Sequence, residues 1–288
     1  MTADRWTRMV RQQVGLGRFL PLGGRQDGAW IAERAADAVL RRAAERDVPE
    51  VRLNGIRIGL ADPDAATEPG VPAPPSALPP GPLRLTVEFA ATAAWPLPET
   101  VSRLRAALAV TATERIGLEV TEVDLRVTDL LDTEPAAERA TMTEAPGRDE
   151  AGGTTEPAGG AAEPAGVAAT AGASVTPGAA QDAGDIAARA TGVLDTSEDG
   201  GGSEADRVAG VVLGVPGVSR LTGVWGRPVR LGERTSAAGD SLPRRHARVD
   251  LAVAAGYRPL EVARAVRAAV AAVGPDRPTV AVLVTDLD

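Results

Sequence analysis

Val280-Ala281-Val282-Leu283-Val284-Thr285-Asp286-Leu287 reads as a strand, and its last four residues already occur earlier as Val127-Thr128-Asp129-Leu130. There too they close an alternating run, through Val123 and Leu125. The echo extends upstream. At a single constant offset, without a gap, Val87 matches Val249, Glu88 matches Asp250, Phe89 matches Leu251 and Trp95 matches Tyr257. At the same offset Glu99 matches Glu261, Leu104 matches Val266 and Arg105 matches Arg267. Self-similarity of this kind predicts two copies of one supersecondary unit, and 288 residues leave room for about two ordinary domains.

Each unit reads helix, strand, strand, helix, strand. Trp30 to Arg46 places Ile31, Ala35, Ala38, Val39 and Leu40 at helical spacing, and Ala205 to Leu213 is its shorter counterpart. Val48-Pro49-Glu50-Val51 and Val215-Pro216-Gly217-Val218 end these helices, because proline cannot continue the ladder, and start the first strand. Leu83, Leu85, Val87 and Phe89 then alternate with Arg84, Thr86 and Glu88, as Val249, Leu251 and Val253 do with Arg248 and Asp250. Period-two alternation predicts one buried and one wet face per sheet. Second helices follow over Glu99 to Glu114 and Leu260 to Val273, with the repeated Glu99, Arg105, Glu261 and Arg267 expected on their solvated faces. A strand, helix, strand order requires a right-handed parallel crossover. The predicted class is therefore α+β: two α-β-β-α-β modules, each a small three-stranded mixed sheet with helices on one face.

The predicted domains are 1–132, with a Pro-rich hairpin insertion at 62–82 that reads as a mobile loop, and 206–288, joined by 133–205. That joining segment is rich in Ala, Gly, Pro, Thr and Glu and buries too little to offset its ordering entropy, so a long disordered linker is expected. The net charge of -8 is uneven: 3 Arg face 13 acids in the linker, 16 face 18 in the first module, and 12 face 8 in the second. With no cysteine, disulfides, thiolate metal sites and Cys nucleophiles are excluded. With no lysine, so are Schiff-base amines and a P-loop lysine. The Arg, Ala, Gly and Pro skew fits a GC-rich bacterial genome. No apolar run reaches the length of a membrane span, and a cytoplasmic location is expected.

Val215 to Val218, Val249 to Tyr257, Pro259 to Val273 and Val280 to Leu287 together resemble the alkaline-shock, or general-stress, protein domain of Gram-positive bacteria, in its actinobacterial form. That pattern has an Ala-rich helix, a Val-x-Gly-Val turn, a V-x-L-x-V strand followed by Tyr and Pro, an amphipathic helix and a closing V-x-V-x-D strand. The first copy departs from it, with Trp95 in place of the Tyr, an extra Pro98 and the long insertion. The resemblance implies a non-enzymatic cytoplasmic protein of the cell-envelope stress response, membrane-proximal through an integral-membrane partner, with no catalytic residue and no cofactor.

The chemistry-bearing residues give no stronger lead. His246 enters a strand beside Thr235 to Ser241, and an exposed histidine is the favoured reading over a held catalytic imidazole. Asp286 and Asp288 have metal-ligand spacing, but Asp129 and Asp132 do not repeat it, so solvated carboxylates are favoured. Gly15, Gly17, Gly23 and Gly24 read as a turn, because no strand precedes them. Gly223-Val224-Trp225-Gly226, beside Arg227 and Arg230, mimics a nucleic-acid backbone clamp, yet it falls within a strand region, where a bulge or turn is expected. Trp6 and Met9 lie on one face of an N-terminal amphipathic helix that either caps the first module or lies on a membrane surface.

Protein-protein contact is the function these features favour. The expected surface is the apolar outer sheet face of the second copy, Ala252, Ala254, Ala281 and Leu283, with Arg227, Arg230, Trp6 and Met9 as further contacts. The two modules are expected to pack as a pseudo-symmetric pair or to form a homo-oligomer. The alternative is a nucleic-acid-binding module using the mildly basic second copy, opposed by the scarcity of aromatics for base stacking.

Overall fold

Leu83, Leu85, Val87 and Phe89 point to one side of a strand and are wholly buried, while Arg84, Thr86 and Glu88 alternate with them on the wetter side. The alternation seen in the sequence therefore sets the core face of the first sheet. The computed structural model describes residues 15–132, 201–224, 226–234, 244–273 and 277–288. Trp6, Met9 and nearly all of the expected linker lie outside them. The described residues belong to one compact unit.

The elements run in chain order as follows. The first half comprises β1 (Phe19–Leu22), β2 (Ala29–Ala32), α1 (Glu33–Asp47), β3 (Val51–Leu60), β4 (Leu83–Thr92), α2 (Leu97–Val110) and β5 (Val120–Leu131). The second comprises α3 (Gly201–Leu213), β6 (Val218–Leu221), β7 (Val229–Arg234), β8 (Arg244–Val253), α4 (Pro259–Val273) and β9 (Thr279–Leu287). The fold is α+β with two mixed sheets. One has the order β3-β4-β5, its first pair antiparallel and its second parallel. The other has six strands: β1-β2-β9-β8-β6, with β7 also on β8. Within it β8 is antiparallel to β6 and β7 and parallel to β9.

The helices follow from local chemistry. Ala35, Ala36, Leu40, Ala43 and Ala44 form the buried stripe of α1, and Arg41 closes an i,i+4 pair with Asp37 at 2.8 Å on its polar side. Pro98 falls in the first turn of α2, where a missing N–H costs no helical hydrogen bond. Thr100, Leu104 and Leu108 carry the buried face of α2. The buried carboxylate of Glu50 accepts from Arg103 at 2.6 Å, and Arg103 also donates to the Asp47 carbonyl at 2.9 Å, which ties α2 to the end of α1. A π-helical turn over Thr111–Ile116 ends at Gly117, whose φ of 100° suits glycine. A Cβ there would meet Leu260 Cβ at 2.5 Å, so glycine also permits the approach of α4.

Two expectations need correction. Trp30 and Ile31 belong to β2, not to the first helix, which starts at Glu33. The sheet of the second half is not three-stranded, because the β1–β2 hairpin joins it along β9, with Ala29, Trp30 and Ile31 parallel to Val282, Leu283 and Val284. All eight hairpin strand residues are buried. Since successive side chains point to opposite faces, an unbroken buried run means that both faces are covered.

The insertion at 62–82 is not the mobile loop its prolines suggest. It is held along the outer edge of β1. Phe19 N–H donates to the Ser76 carbonyl at 3.2 Å, Leu78 N–H to the Phe19 carbonyl at 2.8 Å, and Gly70 N–H to the Arg25 carbonyl at 2.9 Å. Val71 is buried over Gly28, where a Cβ would come within 2.5 Å of the valine. Prolines limit the unfolded chain's freedom, so fixing such a segment costs less entropy than its length suggests.

Candidate functional site

The repeated Val-Thr-Asp-Leu segments occupy equivalent corners. In β5, Thr128 Oγ1 donates to the Phe89 carbonyl at 3.2 Å and Asp129 Oδ1 accepts from Leu130 N–H at 2.9 Å. In β9, Thr285 Oγ1 donates to the Leu251 carbonyl at 3.2 Å and Asp286 Oδ1 accepts from Leu287 N–H at 3.0 Å. Both strands shift register there, between Phe89 and Ala90 and between Leu251 and Ala252. The motif thus encodes a bulge, with the hydroxyl and carboxylate satisfying backbone groups that the irregular ladder leaves over.

The paired arginines act alike at the other end of these strands. Arg105 Nε donates to the Val123 carbonyl at 3.4 Å and Arg267 Nε to the Val280 carbonyl at 3.0 Å, so neither is merely a solvated helix residue. Arg267 also donates through Nη1 to the Gln26 carbonyl at 2.7 Å and to the Asp27 carbonyl, clamping the hairpin turn against β9. Arg264 adds bonds to the Asp27 carboxylate at 2.8 and 3.2 Å. Burial alone would raise the Asp27 carboxyl, but hydrogen bonds from Arg264 and the Gly24 amide, with the charges of Arg264 and Arg267, hold it below its ordinary value.

The edge of β9 is therefore occupied by a strand, whereas among the described residues no strand lies along that of β5. Among the described residues β5 pairs with β4 alone, and none of its twelve residues is fully buried. It is the terminal strand of its sheet, and Leu130 near its end is 60% exposed.

No protein-family model, curated protein or solved structure matches this chain. The site's meaning therefore rests on its own geometry.

The residues expected to form a sticky sheet face are mostly interior. Ala252 and Leu283 are 0% exposed, Ala281 is buried, and only Ala254 is half-buried. Alternation alone predicts a wet face, but Leu283 sits between Asp250 of β8 and Trp30 of β2, and β9 is buried continuously from Val280 to Thr285. Sequence reasoning misses this because it lacks the hairpin. The Trp-containing Ala29–Ala32 run, apolar on both alternating sets, is the available signal.

Other predicted residues are scattered. His246 is buried, not exposed, with Nδ1 2.9 Å from Thr279 Oγ1, because the strand places it between Gly232 of β7 and Thr279 of β9. Asp286 and Asp288 both face Arg220, at 2.6 and 3.4 Å, and Asp288 also accepts from Ser219. Among the described residues no group of three or more His, Asp or Glu is placed to hold a metal. Gly223 and Gly226 form a turn, closed by a 3.0 Å backbone bond, between β6 and β7, with Arg227 exposed and Arg230 half-buried.

Asp250 lies opposite that turn. Its N–H donates to the Pro228 carbonyl at 2.8 Å, and its carbonyl accepts from Thr222 N–H at 2.9 Å. Its carboxylate is fully buried 3.4 Å from Arg248 Nε, and among the described residues neither oxygen receives a hydrogen bond. Burial pushes this carboxyl up to about 6, against the opposing charges of Arg248 and Arg230. A cleft of about 450 Å³ lies between α1 and the 254–259 loop and gathers Arg42, Arg46, Arg115 and Arg258. Arg46 is paired with Asp47 at 2.7 Å, and Arg258 with the Thr113 carbonyl at 2.8 Å.

Proposed function

We propose that this chain is a non-enzymatic, cytoplasmic protein-interaction scaffold. It is built from two diverged copies of an α-β-β-α-β unit of the general-stress type and is docked near the membrane through an integral-membrane partner. The duplication is supported by the matched Thr-to-carbonyl corners at Phe89 and Leu251 and the matched Arg-to-carbonyl bonds at Val123 and Val280. The interaction role is carried by one observation: among the described residues β5 is a long terminal strand with a neighbour on one side only, whereas β9 is covered by β2. An exposed strand edge is a row of unused donors and acceptors that an added strand can satisfy. No helix among the described residues is long and apolar enough to cross a membrane.

The test is isolation of the full chain from native cells with membranes retained, wild type beside Leu125→Pro. A partner lost from the proline variant is expected. Identical co-purifying proteins, or none in either, would overturn the reading. Binding of RNA or DNA that weakens steeply with salt would put nucleic acid in the partner's place.

A further inference from the structure

Between Glu122 and Val127, β5 carries neither a proline nor a bulge, two of the devices that blunt an exposed edge. The chain also has no lysine. Its register shifts fall near its two ends, so Glu122 to Val127 pairs with Arg84 to Phe89 as an uninterrupted ladder. Its residues carry a charge pattern that is complementary to itself when reversed.

We propose that β5 pairs antiparallel with β5 of a second copy of this chain, about a two-fold axis at Leu125. The inference rests on the reading of β5 as an interaction edge, and adds the occupant and the register.

Charge selects the register. About Leu125, Asp124 meets Arg126 of the second copy, and the symmetry makes two such pairs. Glu122 then meets Thr128 and Asp129 meets Thr121, so no like charges face each other. Centring on Asp124 or Arg126 sets that residue against itself. Centring on Val123 sets Glu122 against Asp124, and centring on Val127 forms no ion pair. Opposite charges directly across an antiparallel pair stabilise it, and like charges destabilise it.

Asp124 and Arg126 are exposed and make only long ion pairs within the sheet. Arg126 is 77% exposed, and its carboxylate neighbour Glu88 lies 3.9 Å away. Asp124 is 61% exposed and 3.6 Å from Arg84, which holds Glu122 more closely at 2.6 Å. On the other face Val123, Leu125 and Val127 are half-buried. The same register sets Val123 against Val127, Leu125 against its counterpart, and exposed Leu130 against Val120. Within one molecule β2 already shows that the equivalent edge, on β9, accepts a strand.

Sedimentation velocity of the full chain across nanomolar to micromolar concentration tests this, at low salt so that exposed charges count. Wild type is expected to be in monomer-dimer exchange. Asp124→Arg and Arg126→Asp should each weaken the dimer by about tenfold or more, because both symmetric contacts become repulsive. Mixing the two variants should restore a heterodimer, since the two arginines of one chain then face the two aspartates of the other. The chain is free of cysteine, so Leu125→Cys should oxidise to a disulfide dimer while Thr121→Cys, away from the axis, should not. A chain monomeric at every concentration overturns the inference, as does a dimer indifferent to the charge swaps or not rescued by mixing. If the chain is monomeric yet Leu125→Pro still loses a cellular partner, the second-copy inference falls and the interaction-edge reading stands.

Discussion

Asp250→Asn should stabilise the protein at neutral pH by up to about 3 kcal/mol, and by nearly nothing at pH 4. The carboxyl is fully buried, and burial holds its folded pKa at about 6, against roughly 3.9 for an unfolded aspartate. The difference of about 2 units corresponds to about 3 kcal/mol. The sign follows from proton binding. Between these two pKa values the folded state holds a proton that the unfolded state has released, so stability falls as pH rises through the window. Above about pH 6 the folded protein carries an ionised, poorly solvated carboxylate, whose proximity to Arg248 at 3.4 Å only partly offsets its burial. Asparagine mimics the protonated form and leaves Arg248 in the surroundings it has when Asp250 is neutral. Urea unfolding of both proteins from pH 4 to pH 7.5 measures the effect, and the difference between them cancels other titrating groups. A difference that stays flat with pH, or an asparagine variant less stable at pH 7, would refute the reasoning.

Three further outcomes follow from the same geometry. Thr285→Val should cost about 1–3 kcal/mol by leaving the Leu251 carbonyl short of a donor in a buried corner, and Thr128→Val, in the more exposed corner, should cost less; thermal or urea unfolding ranks them. Arg267→Ala removes the clamp on the Gln26 and Asp27 carbonyls and should raise hydrogen exchange across residues 19–32 well before global unfolding; unchanged exchange there would show that β2–β9 pairing holds the hairpin by itself. Isolated residues 206–288 should self-associate more readily than residues 1–132, because they lose the hairpin and uncover Leu283 and the β9 edge; sedimentation showing both fragments as clean monomers would contradict this.

Much of the framework is legible in the sequence because its burial is one-sided. β4 alternates cleanly from Leu83 to Phe89, and α2 and α4 carry their apolar stripes at helical spacing. What escapes is two-sided. Phe19–Leu22 and Ala29–Ala32 are buried on every residue, so no alternation marks them. Trp30 and Ile31 then fall into helical register with Ala35, which pulls them into the adjacent helix. Without that hairpin the second face of β9 looks wet, and Ala281 and Leu283 become a surface on paper. His246 misleads for a related reason: a flexible-looking neighbourhood at Thr235 to Ser241 says nothing about the strand it enters. The turn at Gly23 and Gly24 and the break near Gly223 are readable, since glycine at a chain reversal signals itself locally. The buried Asp250 is visible only as one polar member of an alternating strand. Nothing in its spacing distinguishes it from Glu88, its half-copy counterpart, which is 50% exposed.

Hydrogen exchange followed strand by strand, at low and at high protein concentration, tests most directly the contrast between a covered and an open sheet edge. β9, between β2 and β8, should be protected equally at both concentrations. The β5 amides that face away from β4 should exchange rapidly when dilute and gain protection centred on Leu125 as concentration rises. Protection of these amides that is already complete in dilute solution, or that never changes, would contradict the account.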